Sequence, residues 1–315
     1  MNRNTKIILI FLVSLAIVIS AENIIFRVIT SRERDKTNIS LVIYEADLAW
    51  NDVKAGAELA AGDRAEVTVI ELMDGYNVEG QYETIVNEFN NGADYVLTSA
   101  IDSSKLDELL NGEYSAKLCF LLNGVNSDNY ITVAPNDHQM GYKLGSLATD
   151  PDKKERNVAV ISANRNQKYI DERRAGVVEA LDNAEMDYEF WTATNDEDIC
   201  DFIESKIQDD VKYTILVLDV MSLGGTVKAA SDVKNDLDIY AIANSDEAVY
   251  YLDSKQIDAL VYPDKFGVGY AAVNNILEPD AYVNKNFSSL ITNKVVRRED
   301  MYTGEYEKVL FPFVK

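Results

Sequence analysis

A chain of 315 residues, 47% hydrophobic and 26% charged, is long enough for two domains and too apolar to be disordered over most of its length. Fifty-three acidic side chains against thirty basic ones give a formal charge of −23, a negative field that excludes nucleic acid as a partner. A single histidine, His138, and two cysteines eighty-one positions apart, Cys119 and Cys200, exclude a His-rich metal site, a zinc cluster and a disulfide framework; both cysteines read as small core residues.

The chain opens on an apolar segment. After Arg3 and Lys6 no charge occurs from Ile7 to Ala21, a fifteen-residue run that suits a signal peptide. Ile24, Ile25, Phe26, Val28 and Ile29 extend the span to twenty-three residues, enough for the roughly 20 that a membrane helix needs. A cleavage site near Ala21 thus competes with an uncleaved anchor, and the anchor is the reading adopted because the run continues past that site. In both readings the leading basic residues hold the start in the cytoplasm and send the body outside. Residues 1–37 are signal anchor or signal peptide and spacer.

From residue 38 the chain alternates β-branched or aromatic runs with helical patterns about every thirty residues, the spacing of βαβ units on a parallel sheet. The patterns predict strands over 39–44, 66–71, 95–99, 117–122 and 131–133, with helices over 49–61, 78–90 and 104–110, the last started by Ser103 or Ser104 as a cap. A second series predicts strands over 157–162, 187–192, 213–219, 238–242 and 259–262, with helices near 167–183, 196–208, 222–232 and 245–252. Two sheets of about five strands imply an α/β protein of two Rossmann-like lobes. Open α/β sheets bind ligands beyond the carboxyl ends of their strands, which selects the loops carrying Glu45 and Asp47, Ser99, Asn123, Asp219 and Asn244.

The order of motifs resembles the type I periplasmic sugar-binding proteins, whose core is shared by lac-repressor-type effector domains. The matching segments are Trp50-Asn51-Asp52-Val53-Lys54-Ala55-Gly56 after the first strand, Thr98-Ser99-Ala100-Ile101-Asp102-Ser103, Val133-Ala134-Pro135-Asn136-Asp137-His138, Asp171-Glu172-Arg173-Arg174-Ala175-Gly176, Leu218-Asp219-Val220-Met221-Ser222 and Tyr262-Pro263-Asp264-Lys265-Phe266-Gly267. The resemblance covers about residues 39–297. It implies periplasmic binding protein type I lobes joined by a three-strand hinge, with lobe one over 38–136 plus 264–286 and lobe two over 137–263 plus 287–315. The tail 301–315 has no reading beyond packing.

By the same resemblance the ligand-binding set is Asp47, Trp50, Ser99, Asn123, Arg173, Asp219, Asn244 and Asp264. Trp50 would stack on a sugar ring and Arg173 would give forked hydrogen bonds to hydroxyls or a carboxylate. Asn123-Gly124 stands where the family often carries Asp-Arg, and Pro263-Asp264 where the hinge offers Gln-Asn, so ribose itself is not the expected ligand. Replacing Arg173 or Trp50 by alanine is expected to weaken binding and spare the fold. Gly267-Val268-Gly269-Tyr270-Ala271-Ala272 imitates a dinucleotide loop, but it falls late in the chain, and close helix packing explains its glycines better.

The function implied is an extracytoplasmic solute-binding protein that captures a sugar or sugar-like small molecule between two lobes for an ABC permease. It would have no catalysis and no cofactor, and be membrane-attached through the N-terminal helix. The alternative is a membrane-anchored sensor that presents its bound state to a histidine kinase or receptor.

Overall fold

The computed structural model describes residues 36–44, 49–72, 77–150, 155–163, 166–193, 199–233, 235–282, 286–304, 306 and 310. The N-terminal apolar span, Glu45, Asp47 and the start of the helix predicted from 196 lie outside them. Among the described residues no helix is long and apolar enough to cross a membrane.

The first sheet holds β1 (Thr37–Ile43), β2 (Ala65–Glu71), β3 (Tyr95–Thr98), β4 (Leu118–Leu121) and β5 (Ile131–Val133), in the order β2-β1-β3-β4-β5. Every pairing in it is parallel. Helices cover both faces, so central strands read as continuous apolar runs: all four residues of β4 are buried. On one face α1 (Ala49–Ala61) packs Val53 and Ala57 onto Leu41 and Leu97; on the other α2 (Val78–Asn90) and α3 (Ser103–Leu110) pack Ile85 and Leu106 onto Val96 and Phe120.

The second sheet contains β6 (Asn157–Ala163), β7 (Tyr188–Ala193), β8 (Tyr213–Val217), β9 (Leu237–Ile242), β10 (Ala259–Pro263) and β11 (Asn293–Arg297), ordered β11-β10-β9-β8-β6-β7. Its helices are α4 (Asp137–Ala148), α5 (Lys168–Asn183), α6 (Ile199–Lys206), α7 (Val220–Asp232) and α8 (Asp246–Asp253). Five of the strands are parallel; β11, for which no strand was predicted, runs antiparallel to β10 and closes one edge.

The chain passes between the sheets three times. It leaves β5 for α4, which packs on the second sheet, and leaves β10 for α9 (Lys265–Leu277), which returns to pack on α1. It then passes α10 (Pro279–Tyr282) and α11 (Phe287–Leu290) to reach β11. Phe287 and Ile291 pack into the core of the first sheet, so the crossing that the resemblance put after residue 286 lies after Ile291.

Each lobe contains one helix pair brought to backbone contact by glycine. A Cβ on Gly269 of α9 would lie 1.9 Å from the Val53 carbonyl oxygen of α1, and one on Gly56 would lie 2.0 Å from that of Phe266. In the second lobe α4 and α5 repeat the device, Gly141 against the Arg173 carbonyl at 1.9 Å and Gly176 against that of His138 at 2.0 Å. The Gly267-Val268-Gly269 motif is therefore a packing motif on a helix. A smaller correction concerns α3: its cap is Asp102, whose Oδ1 accepts from the N–H groups of Ser104 (3.0 Å) and Lys105 (2.8 Å), and not Ser103 or Ser104.

Candidate functional site

The two glycine-packed helix pairs present their N-terminal ends to the space between the lobes. There the carboxyl ends of both sheets enclose a cavity of about 930 Å³, counting the solvent at its mouth. Tyr44, Trp50, Ser99 and Leu122 line it from the first lobe, and Gln167, Tyr169, Arg173, Met221 and Asn244 from the second. Pro135, Asp137, Pro263 and Lys265 line it at the crossings.

Trp50 stands on the first turn of α1. Its indole N–H donates to the Tyr44 carbonyl at 3.2 Å, its ring meets Tyr44 edge-on at 6.0 Å, and it is 8% exposed. One side chain thus serves the core and the cavity wall at once, and truncation to alanine would cost stability as well as binding.

Arg173 projects from α5 and is held on three sides. Its Nε donates to Asp137 Oδ1 at 2.8 Å, one terminal nitrogen donates to the Leu218 carbonyl at 2.7 Å, and the guanidinium lies 4.4 Å from the Tyr169 ring centroid. Burial pushes the Asp137 carboxyl up to about 6 against the lowering pull of Arg173. Burial also holds the Tyr169 hydroxyl well above its ordinary value, with the charge of Asp219 adding to the effect, so this phenol stays protonated. An arginine this embedded contradicts the expectation that its removal would spare the fold.

Asn244 follows β9 and is 7% exposed; its amide nitrogen is buried with no hydrogen-bond partner. Ser99, 2% exposed, lines the opposite wall after β3. The structure therefore brings Trp50, Ser99, Arg173 and Asn244 to one cavity.

The other three described candidates face elsewhere. Leu122 has φ 64° and the Asn123 N–H donates to the Leu121 carbonyl at 2.7 Å, a tight strained turn that aims Leu122 at the cavity and rotates Asn123 into the lobe. There the Asn123 amide donates to the Ala100 carbonyl at 2.7 Å. Gly124 is required next, because a Cβ would lie 2.2 Å from Thr132 Oγ1. Asp219 caps α7, accepting from the Ser222 N–H at 2.9 Å, and also accepts from Ala163 N–H at 3.0 Å. Asp264 caps α9, accepting from the Gly267 N–H at 2.8 Å. These two carboxylates fix the helix starts beside the cavity rather than lining it.

Sequence reasoning missed Tyr44, Leu122, Asp137, Gln167, Tyr169 and Lys265 as lining residues. All lie within three residues of a strand end or helix start, so the strand-end rule, applied to apolar and aromatic neighbours as well as polar ones, would have found them. The cavity offers aromatic faces, a guanidinium, an ammonium and an amide donor lacking a partner, a set that suits a small ligand with an apolar ring face and several oxygens.

A family model described as a periplasmic binding protein domain matches residues 39–278. The fold is similar to a carbohydrate transporter solute binding protein from Agrobacterium radiobacter in complex with D-arabinose, at 15% identity and a TM-score of 0.72, covering 88% of this chain and 99% of that one. It is also similar to an ABC transporter solute binding protein from Agrobacterium vitis bound with α-D-tagatopyranose, at 15% identity and a TM-score of 0.74, covering 87% and 99%. A third likeness is to GanP, a glucose-galactose binding protein from Geobacillus stearothermophilus, at 16% identity and 0.71, covering 86% and 100%. No curated protein matches the chain. At these identities the likenesses establish the fold.

Proposed function

The chain belongs to the periplasmic binding protein family, and from that premise we propose that it captures a sugar or sugar-like small molecule outside the cytoplasm and delivers it to an ABC permease. One observation carries this reading: the carboxyl ends of the parallel strands of two sheets enclose a cavity in which Trp50 and Ser99 from one lobe stand opposite Arg173 and Asn244 from the other. A ligand touching both walls favours the closed arrangement over any open one, because only there do both walls contribute to its affinity. The three crossings would act as the hinge. Support for the ligand class comes from solved neighbours in complex with D-arabinose and with α-D-tagatopyranose.

Trp50 supplies the ring face, Asn244 and Arg173 donate to ligand oxygens, and Ser99 adds a hydroxyl; Asp47, expected from the sequence to join them, lies outside the described residues. Asn123, Asp219 and Asp264 act by positioning the backbone. The N-terminal apolar span would anchor the protein in the membrane with its binding domain outside; an intact mass that begins near Ala21 or Glu22 in protein recovered from the medium would sink that part.

A thermal-shift screen of the full chain against pentoses, hexoses, polyols and amino acids tests the main proposal. A sugar present at 100 times its dissociation constant adds about 2.7 kcal/mol to stability. Stabilisation by amino acids alone, or by no member of the panel, would overturn it.

A further inference from the structure

The lobes meet directly at one lip of the cleft, through Asp102 and Ser103 at the start of α3 and through Asn166 and Lys168 at the start of α5. The Ser103 N–H donates to the Asn166 carbonyl at 2.9 Å, and the Asn166 amide donates to Asp102 Oδ1 at 3.2 Å. Across the same lip the Lys168 N–H donates to Ser103 Oγ at 3.2 Å.

That last bond fills a gap in α5. Helix starts leave orphan N–H groups, and four other helices that begin at the cleft carry caps of their own: Asp102 for α3, Asn136 for α4, Asp219 for α7 and Asp264 for α9. Gln167, in the equivalent position of α5, makes no cap hydrogen bond through its side chain. Ser103 is also held ready to accept, since its hydroxyl donates to the Gly124 carbonyl at 2.7 Å and receives the Asn123 amide at 3.2 Å. Ser103 and Asn123 are each 1% exposed, so water does not compete for this relay.

We propose that Ser103 is a closure-determining residue: its hydroxyl accepts from the first N–H of α5 across the lip, so the helix that carries Tyr169 and Arg173 to the cavity has that group satisfied only while the lobes are together. Asn123 is then a positioning residue that orients the cap. The proposal rests on the capture reading only for what closure encloses. The cap itself biases the lobes toward the closed arrangement before any ligand arrives, which raises the fraction competent to hold one.

Hydrogen exchange read by mass spectrometry on the full chain without ligand tests it. Ser103→Ala is expected to speed exchange in a peptide over 167–171 about two- to tenfold, the loss of one ordinary hydrogen bond. Asn166→Ala, an exposed change, should act in the same direction with a smaller effect and keeps the test alive if Ser103→Ala disturbs folding. Ser104→Ala should leave that peptide alone, since Ser104 Oγ accepts from Asn126 on its own lobe. A role confined to the first lobe would speed exchange over 118–126 and leave 167–171 unmoved. That outcome, or amides at 168–170 already unprotected in the parent, overturns the proposal. Because no ligand is present, a failed sugar screen does not touch this result, nor the reverse.

Discussion

Replacing Asp137 by asparagine should make the protein more stable at neutral pH. The carboxyl has an ordinary value of 3.8 and is pushed up to about 6 by burial, and each unit is worth about 1.36 kcal/mol, so holding it ionised costs the fold about 3 kcal/mol. Between pH 4 and 6 the folded chain keeps a proton that the unfolded chain has released. Stability therefore falls as pH rises through that window, and the whole cost is present above about 6. Asparagine has no proton to lose, and its side-chain oxygen can still accept from Arg173 Nε. Urea denaturation of parent and Asp137→Asn from pH 4 to 8 should show the variant ahead by about 3 kcal/mol at pH 7, with the gap closing toward pH 4. Taking the difference cancels the self-repulsion common to both chains. A gap that stays constant across the range, or a variant less stable at pH 7, would refute the reasoning. The reverse change makes the contrast: Arg173→Ala strands the carboxylate and the Leu218 carbonyl. It should cost about 3 kcal/mol at pH 7, the low end for breaking a buried pair, because the two side chains keep 13% and 9% of their exposure.

Asn244→Leu removes a buried donor that has no partner, so unliganded stability should hold or rise slightly while calorimetry shows binding of the sugar found by screening weakened at least about tenfold; undiminished affinity would remove Asn244 from the site. Trp50→Phe should keep the contact with Tyr44, lose about 1 kcal/mol with the bond to its carbonyl, and abolish most of any ligand-induced change in tryptophan emission, which a full signal from Trp191 alone would contradict. Gly269→Ala should destabilise by about 3 kcal/mol or more in thermal unfolding, because its Cβ would meet backbone that cannot step aside; a variant as stable as the parent would show that α1 and α9 are not in that contact.

Much of this fold was legible because local rules and tertiary packing agree. The helices Ala49–Ala61 and Val78–Asn90 appear with the bounds their periodicity predicts, and Asn77 caps the second with its side chain. The strand β11 was not legible: five residues on an antiparallel edge, with Val296 buried and Arg297 exposed, leave no run to read. The helix α4 was equally hard to bound from sequence, since Gly141 and Gly145 lower helix propensity and are tolerated only because α5 lies against them. At the site, loop position selected Ser99 and Asn244 and the family resemblance added Trp50 and Arg173, but side-chain direction is decided by backbone. The positive φ at Leu122 exchanges the roles of Leu122 and Asn123, and nothing in the two residue names announces it.

The glycine contacts between α1 and α9 also constrain the order in which the chain can assemble. Gly56 meets the Phe266 carbonyl and Gly269 that of Val53 across more than two hundred residues of sequence, so the first lobe lacks one of its covering helices until the chain through Leu277 has emerged. Closing so long a loop carries an entropic cost that a partner helix next in sequence would not impose. The second lobe makes the equivalent contact between α4 and α5, neighbours in the chain, and Gly141 meets the Arg173 carbonyl after only thirty-two residues. During synthesis the strands β1 to β5 thus wait with one apolar face covered only in part, by α1. In that interval the waiting face is what chaperones, proteases and other unfinished chains would meet.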